Sequence, residues 1–210
     1  MSRRISTRTK IQRKLGQGSG ADYKPWITTS EFNSLGTTSV IIDWKTGRGV
    51  HCLSQGETLY YYILRWDDNN IDIREQYPLD VEFVNEIADK NKIMRPKDVL
   101  TTDFIITKAD GTYEAISIKS DDHNLKKRQL QKLCIEKIYW ESIGVPFRLL
   151  LKKHANEILA NNIRLIVEFY DPTFIFDGYS AIKHKIARKE IGIDLNTKIL
   201  TNEDLRRYMA

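Results

Sequence analysis

Apolar positions along the chain repeat with a period that changes several times, and each change predicts an element. Ser39, Val40, Ile41 and Ile42 form a short β-branched run up to Asp43, followed by the turn-like stretch from Lys45 to Gly49. From Ser54 the period lengthens. Leu59, Tyr62, Ile63 and Trp66 fall on overlapping faces, which predicts a helix ending before Asp67. Residues 71–77 alternate and stop at Pro78, the pattern of a strand. The polar segment that follows, up to Val99, reads as a mobile excursion.

Two more strands are expected over residues 100–108 and 112–120, joined by Ala109, Asp110 and Gly111. A type I turn ending in a left-handed glycine makes a three-residue hairpin loop. With Lys108 facing Thr112, Asp103 comes opposite Ser117, and Lys119 lies on the same face one step along the partner strand. A two-residue loop would flip that alignment. A long helix is expected over residues 124–143, ending at Gly144 before Pro146. The apolar run at 147–151 predicts a buried strand returning to the sheet. A helix over 155–169 leads to a boundary at Asp171 and Pro172, and the last forty residues look helical and mixed in charge. The fold class is therefore α/β, with a body spanning 26–170 and a short helical C-terminal extension at 171–210.

Charge divides the chain further. Of 33 Lys and Arg and 28 Asp and Glu, residues 1–25 hold seven basic residues and one acid, so the leading segment carries +6 and the rest of the chain is left at −1. Arg3, Arg4, Arg8, Lys10, Arg13 and Lys14 make it a basic arm, and the glycines from Gly16 to Gly20 give it a flexible composition. Such arms either touch a polyanion, most often nucleic acid, or serve only as solvated tails. The body is close to neutral, so overall charge says nothing about its chemistry. Cys52 and Cys134 form no CxxC pair, and with four scattered histidines they give no zinc spacing. Reduced thiols, no apolar run long enough to span a membrane and no signal-peptide core point to an intracellular, cytoplasmic protein.

An acid at the start of one strand and a lysine at the end of its partner suit phosphodiester hydrolysis. Asp103 would anchor a hard divalent cation, and Lys119 would orient the attacking water or offset developing charge. By spacing alone that pattern is weak, and Lys119 has a plain alternative as a solvated strand end. Glu57 offers a second carboxylate. Its run from Ser54 is also a capping box, which places Glu57 at the third helical position with a structural duty of its own. Pattern alone favours the cap. Lys126, Lys127 and Arg128, just after the lysine, are either phosphate contacts or an exposed helix face. Glu136, further along that helix, is an auxiliary acid or part of a solvated face, and the solvated face is simpler.

The ordered succession of Arg48 to His51, Ser54 to Glu57, Asp72 to Pro78 and Thr101 to Phe104 resembles the TnsA family. These are endonuclease subunits of heteromeric cut-and-paste transposases, and the similarity runs from about Val40 to Leu151. The resemblance implies a restriction-endonuclease-like PD-(D/E)xK core, a central mixed sheet flanked by helices. It implies Glu57, Asp103 and Lys119 as the catalytic set, with Mg²⁺ as cofactor and Mn²⁺ able to substitute. It lifts Glu57 above its capping role. Double-stranded DNA at transposon ends, a TnsB-type recombinase and a TnsC-type AAA+ regulator are the partners it implies, with cleavage of the 5′ strand as the reaction.

Two departures qualify the resemblance. The position two before the lysine is an acid or glutamine in most such proteins but is Ser117 here, a weaker ligand whose place the carbonyl of Ile118 or a water would fill. Only about forty residues follow Pro172, where longer TnsA proteins carry a further domain. That shortness resembles the compact TnsA proteins of CRISPR-associated transposons. Two rivals stay open: a non-catalytic DNA- and partner-binding adaptor with a decayed site, and a stand-alone resolvase or restriction-type nuclease.

Overall fold

Gly111 takes the left-handed conformation the hairpin turn needs, with φ at +82°, and its N–H donates to the Lys108 carbonyl. The Lys108 N–H in turn donates to the Thr112 carbonyl at 2.8 Å. The computed structural model describes residues 5–31, 37–120 and 125–209. Its turn joins β4 (Thr101–Lys108) to β5 (Tyr113–Lys119) in the expected register, from Thr107 against Tyr113 to Phe104 against Ile116. One step further, that register sets Asp103 opposite Ser117.

β3 (Asn70–Pro78) pairs antiparallel with β4, and β6 (Phe147–Leu151) runs parallel to β5, giving the mixed order β3-β4-β5-β6. Alternation along the strands sends neighbouring side chains to opposite faces. Phe104, Ile106, Ile116 and Ile118 pack with Tyr60, Tyr61 and Leu64 of α2 (Gln55–Trp66). The hairpin of β1 (Ser39–Ile42) and β2 (Gly49–Cys52) closes that layer through Ile41, Val50 and Cys52. Ile105 and Ala115 face the other way, against α3 (Val81–Lys90) and α4 (Lys127–Ser142). Each fully buried isoleucine in these layers contributes roughly 1.5–3 kcal/mol.

Three sequence expectations are corrected. The segment after Pro78 holds a helix, α3, capped by Asp80, whose Oδ1 accepts the Phe83 N–H at 2.8 Å. Its polar composition hides the buried set Val84, Ile87 and Ala88 at helical spacing. The C-terminal residues are not appended at position 171. The apolar sides of α5 (Glu157–Val167), α6 (Gly178–Ala187) and α7 (Asn202–Arg206) share one core of Ile163, Ile166, Ile182, Ile186 and Leu205.

The basic leading segment is also folded where it is described. Residues 7–12 form α1 (Thr7–Gln12), and of the glycines that follow, Gly16 and Gly18 serve close approach. At Gly18, with φ +95°, a Cβ would lie 2.6 Å from the Asp22 carbonyl oxygen. Gln17 bridges Lys24 in a short antiparallel contact, and the Tyr23 hydroxyl donates to the Glu75 carbonyl at 2.8 Å. Lys10, expected on a DNA-binding arm, is only 7% exposed. Its ammonium donates to the Trp26 carbonyl at 2.6 Å and pairs with Glu31 at 2.8 Å. Arg8, Arg13 and Lys14 are exposed, and Arg3 and Arg4 lie outside the described residues.

Candidate active site

Ser54 begins α2 with an extended backbone, and its Oγ accepts the Glu57 N–H at 3.2 Å. That is the first half of a capping box. The second half is displaced by one residue: Glu57 Oε2 accepts the N–H of Leu53 at 2.9 Å, while Oε1 accepts the Ser54 hydroxyl at 2.8 Å. The cap therefore does not compete with a site role. It fixes the glutamate in place, 5% exposed, at the end of the sheet where β4 begins and β5 ends.

Asp103 enters from β4. Its Oδ2 accepts the Ile118 N–H at 2.6 Å and the Lys119 ammonium at 3.2 Å. Lys119 also donates to the Ile118 carbonyl at 2.8 Å. The acid and lysine predicted from the hairpin register are thus in direct contact. Glu57 is close enough to feel both charges. Burial and then the Asp103 charge push its carboxyl up to about 7, against the lowering influence of the Leu53 and Ser54 hydrogen bonds.

Glu136 is the functional candidate that sequence pattern placed on a solvated face. It is 3% exposed, and both its oxygens meet the Ser117 hydroxyl, at 2.8 and 2.9 Å. Burial and the charge of Asp103 raise it to about 7 as well. Burial works against the charge of Lys119, yet Asp103, Glu136 and Glu57 together hold that lysine above the usual ammonium value. The signal available in the sequence was the serine itself. A short hydroxyl where a longer acid or amide is usual leaves room for a carboxylate from the facing helix.

Of the expected ligands, Ser117 is thus engaged by Glu136 and the Ile118 carbonyl by Lys119. Among the described residues, no group of three acidic, histidine or cysteine side chains already converges as a ready metal site. The donor set nevertheless fits a hard divalent ion. Two buried carboxylates, Glu57 and Glu136, and the half-buried Asp103 stand around one lysine, and burial first and the Asp103 charge second push the two glutamates up to about 7.

The expected DNA contacts beyond the site divide similarly. Lys126 and Lys127 are exposed at the start of α4. Arg128 is committed to the protein, donating to the carbonyls of Met94 at 2.6 Å and Arg95 at 2.9 Å. No helix among the described residues is long and apolar enough to cross a membrane.

Comparison with known proteins agrees with this architecture. Residues 67–152, which carry Asp103 and Lys119, match the family profile described as TnsA-like endonuclease N terminal. The transposon Tn7 transposition protein TnsA of Escherichia coli is 35% identical over 161 residues, covering 73% of this chain. The chain spans 59% of that relative's length. By its identity to this relative over most of its own length, and by the matching family profile, the chain belongs to the TnsA family.

Proposed function

We propose that this protein is the endonuclease subunit of a transposase, cutting the 5′, non-transferred strand at transposon ends with the help of a divalent metal, Mg²⁺ or Mn²⁺. The observation that carries the reading is the meeting of Glu57, Asp103 and Glu136 with Lys119 at one end of the sheet. Its fold reading is a PD-(D/E)xK core, with Ser117 and Glu136 jointly standing where a single acid stands in related nucleases.

Asp103 and Glu57 would hold the metal, which supplies Lewis-acid activation of the scissile phosphate and its attacking water. Lys119, kept cationic by three neighbouring acids, suits orienting that water and offsetting charge on the phosphate rather than removing a proton. Glu136, pushed up to about 7, suits the proton transfer. Ser117 fixes Glu136 by its hydroxyl. Lys126, Lys127, Arg8, Arg13 and Lys14 remain exposed candidates for flanking phosphates.

The adaptor reading fits these details less well. Burying Glu57 and Glu136 beside Asp103 and Lys119 costs stability, and a scaffold that only binds partners gains nothing from it. An excision assay with a TnsB-type recombinase and a TnsC-type regulator, scoring both strands at the element ends, tests the proposal. Asp103→Ala and Lys119→Ala should each abolish 5′ cleavage while 3′ joining continues. Undiminished 5′ cuts in both variants would falsify the assignment.

A further inference from the structure

β3 contains an irregularity that the proposed reaction does not explain. Glu75 pairs with Phe104 and Tyr77 with Thr102, so Gln76 between them stands opposite Asp103. Its φ is +49°, in the left-handed region that side chains other than glycine's rarely occupy. It is also 3% exposed. A chain that needed only this backbone turn would be served by glycine, which adopts it without strain. A buried glutamine there means that the side chain is in use.

Its amide has two partners. Nε2 donates to Glu57 Oε2 at 3.2 Å, and Oε1 accepts the Thr101 hydroxyl at 3.1 Å. Thr101 opens β4, two residues before Asp103, so the glutamine ties the helix that carries one acid to the strand that carries the other. The left-handed twist is what turns the amide toward α2, because regular strand geometry would send residue 76 to the face opposite that of Glu75. The N-terminal segment holds the twist in place. The Trp26 N–H donates to the Gln76 carbonyl at 3.3 Å, the Tyr23 hydroxyl takes the carbonyl of Glu75, and Lys10 anchors Trp26 from behind.

We infer that Gln76 is a positioning residue for Glu57, completing the hold that Leu53 and Ser54 begin, and that residues 10–26 act as a brace for the active site through it. The inference rests on the proposed metal-bearing role of Glu57. A neutral amide donor suits the task. It orients the carboxylate without placing a second cation where a metal would compete.

The test uses the full chain with Gln76→Gly and Gln76→Ala. Both remove the amide, and only glycine relieves the backbone. The glycine variant should fold and melt above the alanine variant, which separates strain from side-chain function. Crystal structures of both variants should show the Glu57 carboxylate turned away from its wild-type position. Mn²⁺ binding, measured by calorimetry without DNA, should weaken roughly tenfold in both. An unmoved carboxylate overturns the inference, and so does wild-type Mn²⁺ affinity with the carboxylate displaced. Wild-type protein that binds no Mn²⁺ would instead count against the metal-centre reading, while the position of Glu57 would still decide the role of Gln76.

Discussion

Two acidic clusters lie at the two ends of α2, and they solve the same electrostatic problem in opposite ways. Asp43, 2% exposed, receives Arg65 through Nε at 2.7 Å and Nη2 at 3.2 Å. The Tyr61 hydroxyl and the N–H groups of Lys45 and Thr46 complete its shell. Burial alone would raise its carboxyl, but the hydrogen bonds and charge of Arg65 outweigh that and hold it below the ordinary value. At the other end, burial is joined by the charge of Asp103, and Glu57 and Glu136 are pushed up to about 7. One cluster is complete and joins β1 to α2 and β3. In the other, Glu57 and Glu136 hydrogen-bond to neutral partners, Ser54, Gln76 and Ser117, and under the proposed function this cluster receives a cation and a phosphate.

The sharpest way to break this contrast is to neutralise one acid in each cluster. Asp103→Asn should lower 5′-strand cleavage by about 1,000-fold, roughly 4 kcal/mol of transition-state stabilisation, while leaving thermal stability unchanged or higher by about 1 kcal/mol. Asp43→Asn should do the reverse. It leaves the Arg65 guanidinium buried without its anion, costing about 3 kcal/mol, or about 6–12 °C in melting temperature. Thermal denaturation beside the cleavage assay reads both. If the two variants shift stability in the same direction by similar amounts, the contrast is wrong.

A smaller effect concerns pH. Glu57 and Glu136 titrate near 7 when folded, above the ordinary glutamate value of 4.5. Between those values the folded chain binds more protons than the unfolded one, so stability falls as pH rises through this window. Their contribution is full below about 4.5 and gone once pH passes about 7. Asp43 runs the other way: its contribution is present above 3.8 and is lost as pH falls through its lower folded value. Melting curves from pH 5 to 8 should therefore decline in the wild type and decline less steeply in Asp103→Asn, where burial still raises both glutamates but the neighbouring charge is gone. An equal decline in both would show that Asp103 adds nothing to the effect of burial.

The smallest expected effect lies outside both clusters. Replacing Lys126 and Lys127 by alanine should reduce the slope of log affinity against log salt by about 2 for duplex DNA, one unit per lost phosphate contact. Arg128→Ala should chiefly loosen the segment after α3, since its guanidinium is spent on the carbonyls of Met94 and Arg95.

What the sequence disclosed follows a physical divide. The hairpin and its register were legible because Gly111 and its flanking alternation are local signals, and they brought Asp103 to Lys119. The cap at Ser54 was legible for the same reason. Glu136 was not, since Ile135 beside it is also buried and the apolar stripe of α4 does not mark which flank is closed by the sheet. Gln76 lies in one of the runs that carry the resemblance, but its conformation and role were not legible, because a left-handed backbone in a strand comes from contacts with Trp26 and Glu57, far away in sequence. The N-terminal segment misled through composition: its glycines look flexible, but Gly16 packs against Pro78 and Gly18 against Asp22.

The central claim is that the incomplete cluster is a metal centre, and its most direct measurement is Mn²⁺ titration calorimetry at pH 6.5 in two buffers of different ionisation enthalpy. The wild-type protein should bind Mn²⁺ and release protons as Glu57 and Glu136 give theirs up, and Asp103→Asn should lose most of that binding. Absence of Mn²⁺ binding, or binding that is equal in Asp103→Asn and releases no protons, would contradict the account.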